Sequence, residues 1–298
     1  MALPDRVRTA CARVARRARR VRVVGEAIEP YASTLPAGAP APEPAEGSSR
    51  EERAARSLTL NAVNFGSGWF PTLRKPPGMS GFRTVEAGLR SRPPWTAAEL
   101  TAITREELAS VLGQDPGHEL IGLFAAHLRE LGERVRGEHA GSFAALAASG
   151  EGSAVRLAER LADWPTWRDV SIYDGEEVPF FKRAQIAAAD LALTGIAPAG
   201  DVGRLTMFAD NLVPHVLRLD GVLELDPALV ARIERAELIE HGSPEEVEIR
   251  ACALWTVELL VAAHGATTAA AVDQVLWRRG AGARYKAVPR HRSRTTAY

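Results

Sequence analysis

The chain has 298 residues, of which 46% are apolar, so it can bury a sizeable core as one large domain or two ordinary ones. Its 37 basic and 37 acidic residues cancel, which excludes a global electrostatic field directed at nucleic acid. Lysine occurs only at Lys75, Lys182 and Lys286. A retained lysine supplies a compact charge with a tunable pKa, which arginine cannot. The alternative is that these three lysines remain by chance.

The two cysteines, Cys11 and Cys252, lie in helical apolar patterns. They are too few for a disulfide framework or a zinc site, so we expect buried thiols in a reducing compartment. The sequence contains no run of about 18 apolar residues, so no membrane-spanning helix is predicted. The arginine-rich N-terminus lacks the apolar stretch of a signal peptide. The sequence therefore predicts a soluble, cytoplasmic protein.

The first half of the chain is predicted to be helical. An apolar stripe over 5–28 predicts a helix that Pro30 ends, with its arginines on a solvated face rather than on a nucleic-acid or membrane arm. The segment 36–49 is rich in Pro, Ala and Gly and is expected to be a surface loop. Capping and periodicity predict a helix opened by Ser48 or Ser49, and then helices over 84–90, 97–102, 105–112, 117–137, 142–148 and 153–163.

Amides and aromatic rings gather before and within a glycine-rich turn at Asn61, Asn64, Phe65 and Trp69. One interpretation is a helix end that packs its aromatic rings into the core. The other is a platform on which a planar base stacks. His127, on the apolar side of the 117–137 helix, is interpreted as a core histidine.

The stretch from Asp169 to Pro214 contains strand-like alternation broken at Asp174-Gly175, which predicts a β-hairpin. The segment KRAQIAAADLAL then predicts a helix that ends at Gly195, and a second helix is predicted over 201–211, interrupted near Pro214. Lys182 begins the first helix and Asp210 lies in the second. One cation and one carboxylate brought together in this way form a candidate centre for polar chemistry.

The last third is predicted to hold helices over 226–239, 244–264 and 267–278, followed by a basic tail over 284–298. That tail is either disordered or lies across the site and brings arginines to an anion. The sequence contains no P-loop, dinucleotide-binding, serine-hydrolase, zinc-protease or cysteine-cluster motif. The common chemistries of those motifs are therefore excluded, and no metal or other cofactor is expected.

Several stretches together resemble one known family. They are Asn64-Phe65 with Trp69, DVSIYDGEEVPFFKRAQIAAADL, LTMFADNLVPHVLRLDGVL, EEVEIRACALWTVELL and the tail HRSRTTAY. This combination is similar to the queuosine salvage proteins, the queuosine 5′-phosphate N-glycosylase/hydrolases. The resemblance implies a mainly α fold, a single helical domain over 1–298 with a helix-hairpin-helix core like that of DNA glycosylases and a small β-hairpin. It also implies release of queuine from queuosine 5′-monophosphate.

Breaking an N-glycosidic bond develops positive charge on the sugar, which a carboxylate stabilises while it activates water. Asp210 is the predicted catalytic carboxylate because it lies in the family motif LTMFAD. Lys182 is its predicted partner, keeping it ionised or holding an anion. An ordinary structural ion pair between the two residues is the alternative.

The leaving base that the resemblance implies is a 7-deazaguanine, which lacks the ring N7 that purine enzymes often protonate. Hydrogen bonds to its other polar atoms are expected from Asn61, Asn64, Gln185 or Asp190. Phe65 or Trp69 would stack on the ring. The ammonium of queuine needs an acid, and the candidates are Asp174, Asp190 and Glu258.

The 5′-phosphate needs cations. The candidates are Arg183, His215, Arg250, His291, Arg292 and Arg294. Arg250 has a competing interpretation as a surface partner of Glu246 four residues earlier on its own helix.

Two other functions stay open. One is a glycosylase acting on a base within nucleic acid, and the other is a non-catalytic protein that binds a modified base. The favoured hypothesis implies a small-molecule substrate, no stable nucleic-acid complex, no membrane partner and a monomer.

Overall fold

The computed structural model of the chain describes residues 1–38, 48–197 and 199–298. Most of the predicted 36–49 loop lies outside the described residues. The fold is mainly helical, as predicted, with four short strands in the described ranges. The helices are α1 (Leu3–Arg17), α2 (Gly25–Ala32), α3 (Arg50–Ala62), α4 (Gly81–Arg90), α5 (Ala97–Ala102), α6 (Arg105–Leu112), α7 (Glu119–Glu138), α8 (Phe143–Ala148), α9 (Ala154–Ala162), α10 (Lys182–Leu193), α11 (Leu212–Leu219), α12 (Pro227–Glu234), α13 (Pro244–His264), α14 (Ala269–Arg279) and α15 (Ala283–Lys286), and the strands are β1 (Val21–Val23), β2 (Val170–Tyr173), β3 (Glu176–Pro179) and β4 (Leu223–Leu225).

Local capping signals fix the helices of the first half. Capping boxes form at the starts of α3, α5 and α6, from Ser49, Thr96 and Thr104. In each box the hydroxyl and a glutamate three residues later satisfy backbone N–H groups that a helix start leaves unpaired. The predicted bounds of α5 and α6 are confirmed to the residue.

The predicted helix over 5–28 is wrong in its second half. Helix α1 ends at Arg17, and β1 then pairs antiparallel with β4 in a ribbon that the sequence pattern missed. A buried carboxylate from α13, Glu248, draws the turn away from helix geometry by accepting three consecutive backbone N–H groups. These belong to Arg19, Arg20 and Val21, at 3.0, 2.6 and 3.1 Å. Pro30 lies inside α2 rather than ending a long helix.

The predicted helix over 201–211 is also wrong. A single 3₁₀ turn at Val202–Arg204 is followed by irregular backbone up to α11, and Pro214 lies in the first turn of α11, where proline is tolerated. Side chains from other helices accept backbone N–H groups of this segment, so those groups do not form helical hydrogen bonds. Gln185 accepts the Thr206 N–H at 3.0 Å, and Asp273 accepts the Phe208 N–H at 3.0 Å.

The predicted hairpin is confirmed. Strands β2 and β3 pair antiparallel, with Val170 opposite Pro179 and Tyr173 opposite Glu176. Asp174 and Gly175 form the turn with φ angles of 47° and 78°. Positive φ at both central residues is the geometry that matches strand twist, and it explains the Asp-Gly pair.

Helix α13 runs through the core and packs against α1, α2, α11 and α14. Cys11 and Cys252 are both buried and free, so their predicted burial is confirmed. Within the described ranges, no single helix is long and apolar enough to cross a bilayer. Only α13 and α14 taken together, across a 112° bend, pass by length and composition.

Candidate active site

Lys182 is a buried cation at the first position of α10. Its side chain is 4% exposed, and its ammonium donates a hydrogen bond to the Asn64 carbonyl at 3.0 Å. Burial lowers the pKa of Lys182 to about 8, against the opposing effect of the nearby Asp210 charge. The lysine therefore titrates close to neutral pH rather than near 10.5.

Asp210 lies two residues before the first residue of α11 and is partly exposed. One carboxylate oxygen accepts the N–H groups of Leu212 and Val213 at 2.8 and 3.2 Å. Unpaired N–H groups at a helix start favour negative charge there. The helix start thus holds the Asp210 carboxylate in place.

Two further carboxylates, those of Asp273 and Asp190, lie in the electrostatic reach of Lys182. Asp273, buried on α14, accepts the Phe208 N–H two residues before Asp210. Burial, and then the charge of Asp210, raise the pKa of Asp273 well above its usual range. Asp190 on α10 accepts a hydrogen bond from the Asn61 amide at 2.9 Å, and burial raises its pKa to about 6. We call Asp190, Asp210, Asp273 and Lys182 the acid cluster.

The amides of the predicted site extend this cluster. Asn61 is buried, and its side-chain oxygen accepts a hydrogen bond from the Asn64 amide at 3.2 Å. The Asn64 carbonyl is the acceptor for Lys182. Five residues predicted from sequence are therefore brought together: Lys182, Asp210, Asp190, Asn61 and Asn64.

Asp273 was missed by sequence reasoning. A signal was available, because it is the one acidic side chain within the mostly apolar and basic helix AAAVDQVLWRR. A carboxylate on the buried face of such a helix must be partnered or must titrate abnormally, which marks functional sites.

Arg290 was also missed, although its neighbours were named. The tail that carries it is anchored beside α11. Arg218 donates to the Pro289 carbonyl at 3.2 Å, and the Asn211 amide donates to the His291 carbonyl at 3.1 Å. Burial lowers the pKa of Arg290, while the charge of Asp210 raises it and that of Arg292 lowers it. Arg290 thus lies in the electrostatic reach of Asp210, with Arg292 near it.

Two predicted site residues of α10 face the protein interior instead. Arg183 donates to the carbonyls of Ala62 and Thr166 and lies over the Phe65 and Trp167 rings, each 5.2 Å away. Gln185 is fully buried. Its amide nitrogen donates to the Phe180 carbonyl and the Thr206 hydroxyl, and its amide oxygen accepts the Thr206 N–H. Both side chains are buried and hydrogen-bonded to other parts of the protein, so neither is free to bind a ligand.

The aromatic residues predicted as a stacking platform are both buried. The Phe65 ring packs edge-on to Phe124 at 5.0 Å and lies 4.6 Å from His127. Trp69 donates its indole N–H to Glu119 at 2.7 Å. The structure therefore places these rings in the core-packing arrangement. His127 is also buried, as predicted, and burial lowers its pKa to about 3.

Two of the three acids considered for the queuine ammonium lie outside the cluster. Asp174 sits in the hairpin turn and accepts from Arg19 at 3.0 Å. Glu258, on α13, accepts from Arg8 at 2.8 Å. Of the three, Asp190 is the acid that the fold brings near Lys182.

The cations predicted for the phosphate are mostly engaged elsewhere. His215 contacts the Tyr285 carbonyl at 2.9 Å, and burial lowers its pKa to about 4. Burial lowers the pKa of His291 to about 3, so both histidines are neutral. Arg294 is half exposed, 3.6 Å from Glu119. Arg250 does pair with Glu246, at 3.6 Å, but the predicted surface location is wrong, since both side chains are fully buried and Arg250 also bonds to Asp169.

The cluster combines a cation that titrates near neutral pH with three carboxylates in different environments. Such an arrangement can stabilise developing positive charge, activate water and donate a proton from a neutral acid. Within residues 1–38, 48–197 and 199–298, no three His, Cys, Asp or Glu side chains are grouped to hold a metal ion. The fold and site define a mainly helical protein with a polar cluster that is a candidate active site.

Comparison with known proteins specifies the class. The family model described as queuosine salvage protein matches residues 82–298. A protein of Sphaerobacter thermophilus is 39% identical over 84% of this chain and 82% of its own length. Relatives from Bos taurus and Schizosaccharomyces pombe are 31% and 35% identical over 60% and 45% of this chain, and these alignments span 53% and 40% of the relatives. All three carry the name queuosine 5′-phosphate N-glycosylase/hydrolase. The chain belongs to the queuosine salvage protein family.

Proposed function

We propose that this protein hydrolyses the N-glycosidic bond of queuosine 5′-monophosphate and releases queuine. The observation that carries the proposal is the acid cluster around Lys182, in a chain 39% identical to a protein named for this reaction. Asp210 would face the sugar, stabilise the oxocarbenium-like transition state and orient or deprotonate the attacking water. Lys182 would keep that carboxylate ionised.

The leaving base requires a proton donor other than a ring N7 contact. Asp273 is suited to this role because burial raises its pKa well above the usual range, which favours the protonated form that can donate a hydrogen bond. Asp190, with a pKa of about 6, is mostly ionised at pH 7 and is the acid proposed to meet the ammonium of queuine. Asn61 orients Asp190 through its 2.9 Å hydrogen bond.

The 5′-phosphate is assigned to Arg290, with Arg292 beside it. Both belong to the tail that is anchored next to Asp210 through the Asn211–His291 hydrogen bond. A phosphate dianion between two arginines gains charge-assisted hydrogen bonds.

One experiment tests the proposal. Purified protein is incubated with queuosine 5′-monophosphate, and the products are separated by chromatography. Queuine and ribose 5-phosphate in equal amounts would support it. Nucleotide that is bound but recovered intact would indicate a binding protein. Base release from tRNA or DNA in preference to the free nucleotide would indicate a nucleic-acid glycosylase.

The finer fold assignment belongs to the same proposal. A single domain with a core like the helix-hairpin-helix DNA glycosylases is supported by the helical architecture and by the sharp turn between α13 and α14, which meet at 112°. We also propose that the protein acts as a monomer on a small-molecule substrate. Sedimentation at assay concentration tests that point.

A further inference from the structure

Arg250, in the middle of α13, is fully buried and uses its whole guanidinium group. Its two terminal nitrogens donate to the two oxygens of Asp169 at 3.0 and 2.7 Å. Its Nε donates to the Ala209 carbonyl at 3.0 Å. Glu246 lies 3.6 Å away on the preceding turn. A buried, bidentate arginine–carboxylate pair fixes geometry as well as charge.

The plane of the guanidinium is covered by aromatic rings. Its carbon lies 3.9 Å from the centre of the Phe180 ring and 4.2 Å from that of Tyr298. Lysine has no planar group that could stack in the same way. We call Arg250, Asp169, Glu246, Phe180 and Tyr298 the Arg250 network.

The hydrogen bonds of Arg250 lead to both residues proposed for catalysis. The carbonyl that it binds belongs to Ala209, the residue before Asp210. The Asp169 carboxylate that it binds also accepts the backbone N–H of Lys182 at 3.0 Å. One guanidinium thus holds the main chain next to the carboxylate and, through Asp169, the main chain of the lysine.

The start of α10 depends on this arrangement. Phe181, just before Lys182, has a φ of 49°, a left-handed conformation that costs a bulky residue about 1–3 kcal/mol. Its side chain cannot cap the helix, and Asp169 supplies the capping oxygen instead. The Asp169 carbonyl also accepts the N–H groups of Phe180 and Phe181, at 2.9 and 3.3 Å.

The C-terminal tail closes over the other face. The Tyr298 carbonyl accepts the Gly66 N–H at 3.1 Å, two residues beyond the Asn64 carbonyl that binds Lys182. At Gly68, an added Cβ would come within 2.5 Å of the Ser293 carbonyl, so the tail lies directly on this loop. The tail therefore contacts both the Arg250 network and the loop that holds the lysine ammonium.

We propose that Arg250 is a positioning residue that aligns Asp210 with Lys182, and that Tyr298 locks it in place. The proposal rests on the proposed function. Arg250 itself would not touch the nucleotide, because its donors are used by Asp169 and Ala209. Its loss should therefore change turnover more than substrate binding.

The test compares Arg250→Lys with a matched control, Arg279→Lys. Arg279 also pairs with an aspartate, Asp220 at 3.2 Å, and lies over a tyrosine ring, Tyr31 at 5.2 Å. For Arg250→Lys we expect kcat to fall about 10- to 100-fold, as misplacement of reacting groups by about 1 Å does. KM should stay within about twofold. Arg279→Lys should leave both constants unchanged. Equal kcat in the two variants, or a KM rise that accounts for the loss, would overturn the proposal.

A second readout does not depend on the substrate. The wild-type chain has three lysines and Arg250→Lys adds a fourth, so the pKa of Lys182 can be followed by NMR of isotope-labelled lysine side chains once the new resonance is identified by comparison with the wild type. Arg250→Lys conserves charge, and a drop in the Lys182 pKa would report that Asp210 has moved away. If the pKa of Lys182 does not change in Arg250→Lys, the positioning role is contradicted. This readout needs no turnover. Failure of the wild-type protein to cleave queuosine 5′-monophosphate would therefore refute only the proposed function.

A milder variant covers the case in which Arg250→Lys does not fold. Tyr298→Leu removes the ring over the guanidinium and leaves every charge and all three lysines in place. We expect the same two changes, a lower kcat with little effect on KM and a lower Lys182 pKa, at smaller size. Wild-type values for both in a folded Tyr298→Leu protein would overturn the proposal.

Discussion

Two groups of charges meet at the backbone of Ala209 and Asp210, and the charges are balanced differently in each group. In the Arg250 network, Arg250 meets Asp169 at 2.7 Å and Glu246 at 3.6 Å. Burial raises the pKa of Glu246, but Arg250 and His241 outweigh it and lower that pKa to about 2. In the acid cluster, three carboxylates share one lysine, and burial raises the pKa values of two of them. Charges that are fully paired hold the fold, whereas charges left short of partners are free to bind and to exchange protons.

The difference gives the two groups opposite pH dependence. Because the pKa of Glu246 is depressed in the folded state, its contribution to stability is present above about pH 4.5 and is lost as the pH falls toward 2. The pKa of Asp190 is raised in the folded state, so its contribution is present below about pH 3.8 and is lost as the pH rises through about 6. At neutral pH the Arg250 network stabilises the fold and Asp190 destabilises it.

The largest expected effect is on stability, from breaking the balanced group. Asp169→Asn should lower the free energy of unfolding by about 3–5 kcal/mol, because it leaves the Arg250 charge buried with a weaker partner. Urea denaturation measures it. The control is Asp174→Asn, which removes a surface partner of Arg19 and should cost no more than about 1 kcal/mol. Equal midpoints for the two variants would contradict the contrast drawn above.

Changing the unbalanced group should affect rate instead. Asp210→Asn should lower kcat/KM about 10²- to 10³-fold, the usual loss when a transition-state stabiliser is removed. Its unfolding free energy should stay near that of the wild type, since Asn caps a helix start about as well as Asp. Near-normal turnover in this variant would refute the role assigned to Asp210.

The phosphate assignment predicts a smaller, substrate-dependent effect. Arg290→Gln should weaken kcat/KM for the nucleotide by about 1.5–3 kcal/mol, the worth of a charged hydrogen bond. The nucleoside should react with both proteins at similar rates. Arg284→Gln, at an exposed position of the same tail paired with Asp220, is the control and should change neither. A uniform loss with both substrates would show that Arg290 does not bind the phosphate.

The pH profile tests Lys182. The pKa of Lys182 is lowered to about 8, so the ammonium is charged below that pH and neutral above it. If Asp210 needs this charge, kcat/KM should fall about tenfold per pH unit above 8. A rate that stays flat up to pH 9.5 would mean that the charge of Lys182 is dispensable.

The smallest expected effect is a gain in stability. Asp190→Asn removes a carboxylate that is held ionised at a cost, while its side-chain oxygen can still accept from Asn61. We expect a gain on the order of 1 kcal/mol at pH 7.5 and none at pH 4. Thermal unfolding at the two pH values measures it. Equal shifts at both would show that titration of Asp190 does not affect stability.

Much of the candidate site could be predicted because a few side chains stood out locally. Lys182, Asp210, Asp190, Asn61 and Asn64 were named from the sequence, and the structure brings them together. Asp273 and Arg290 were not named, because their importance comes from proximity to Asp210 across distant parts of the chain. Phe65 and Arg183 were of the right type but face the core, which a residue list cannot reveal.

The sequence by itself determined the elements whose signals are local. Hydroxyl-glutamate pairs begin α3, α5 and α6, and Asp174-Gly175 makes the hairpin turn, because these contacts form within three or four residues. Only the tertiary structure decided that most of the predicted 201–211 helix is irregular backbone, bound by Gln185 and Asp273. It also decided how Arg250 connects the backbone beside Asp210 to that of Lys182 through Asp169. Those contacts join residues 13 to 81 positions apart. No window of sequence contains both partners of the longer ones, so their geometry exists only in the folded chain.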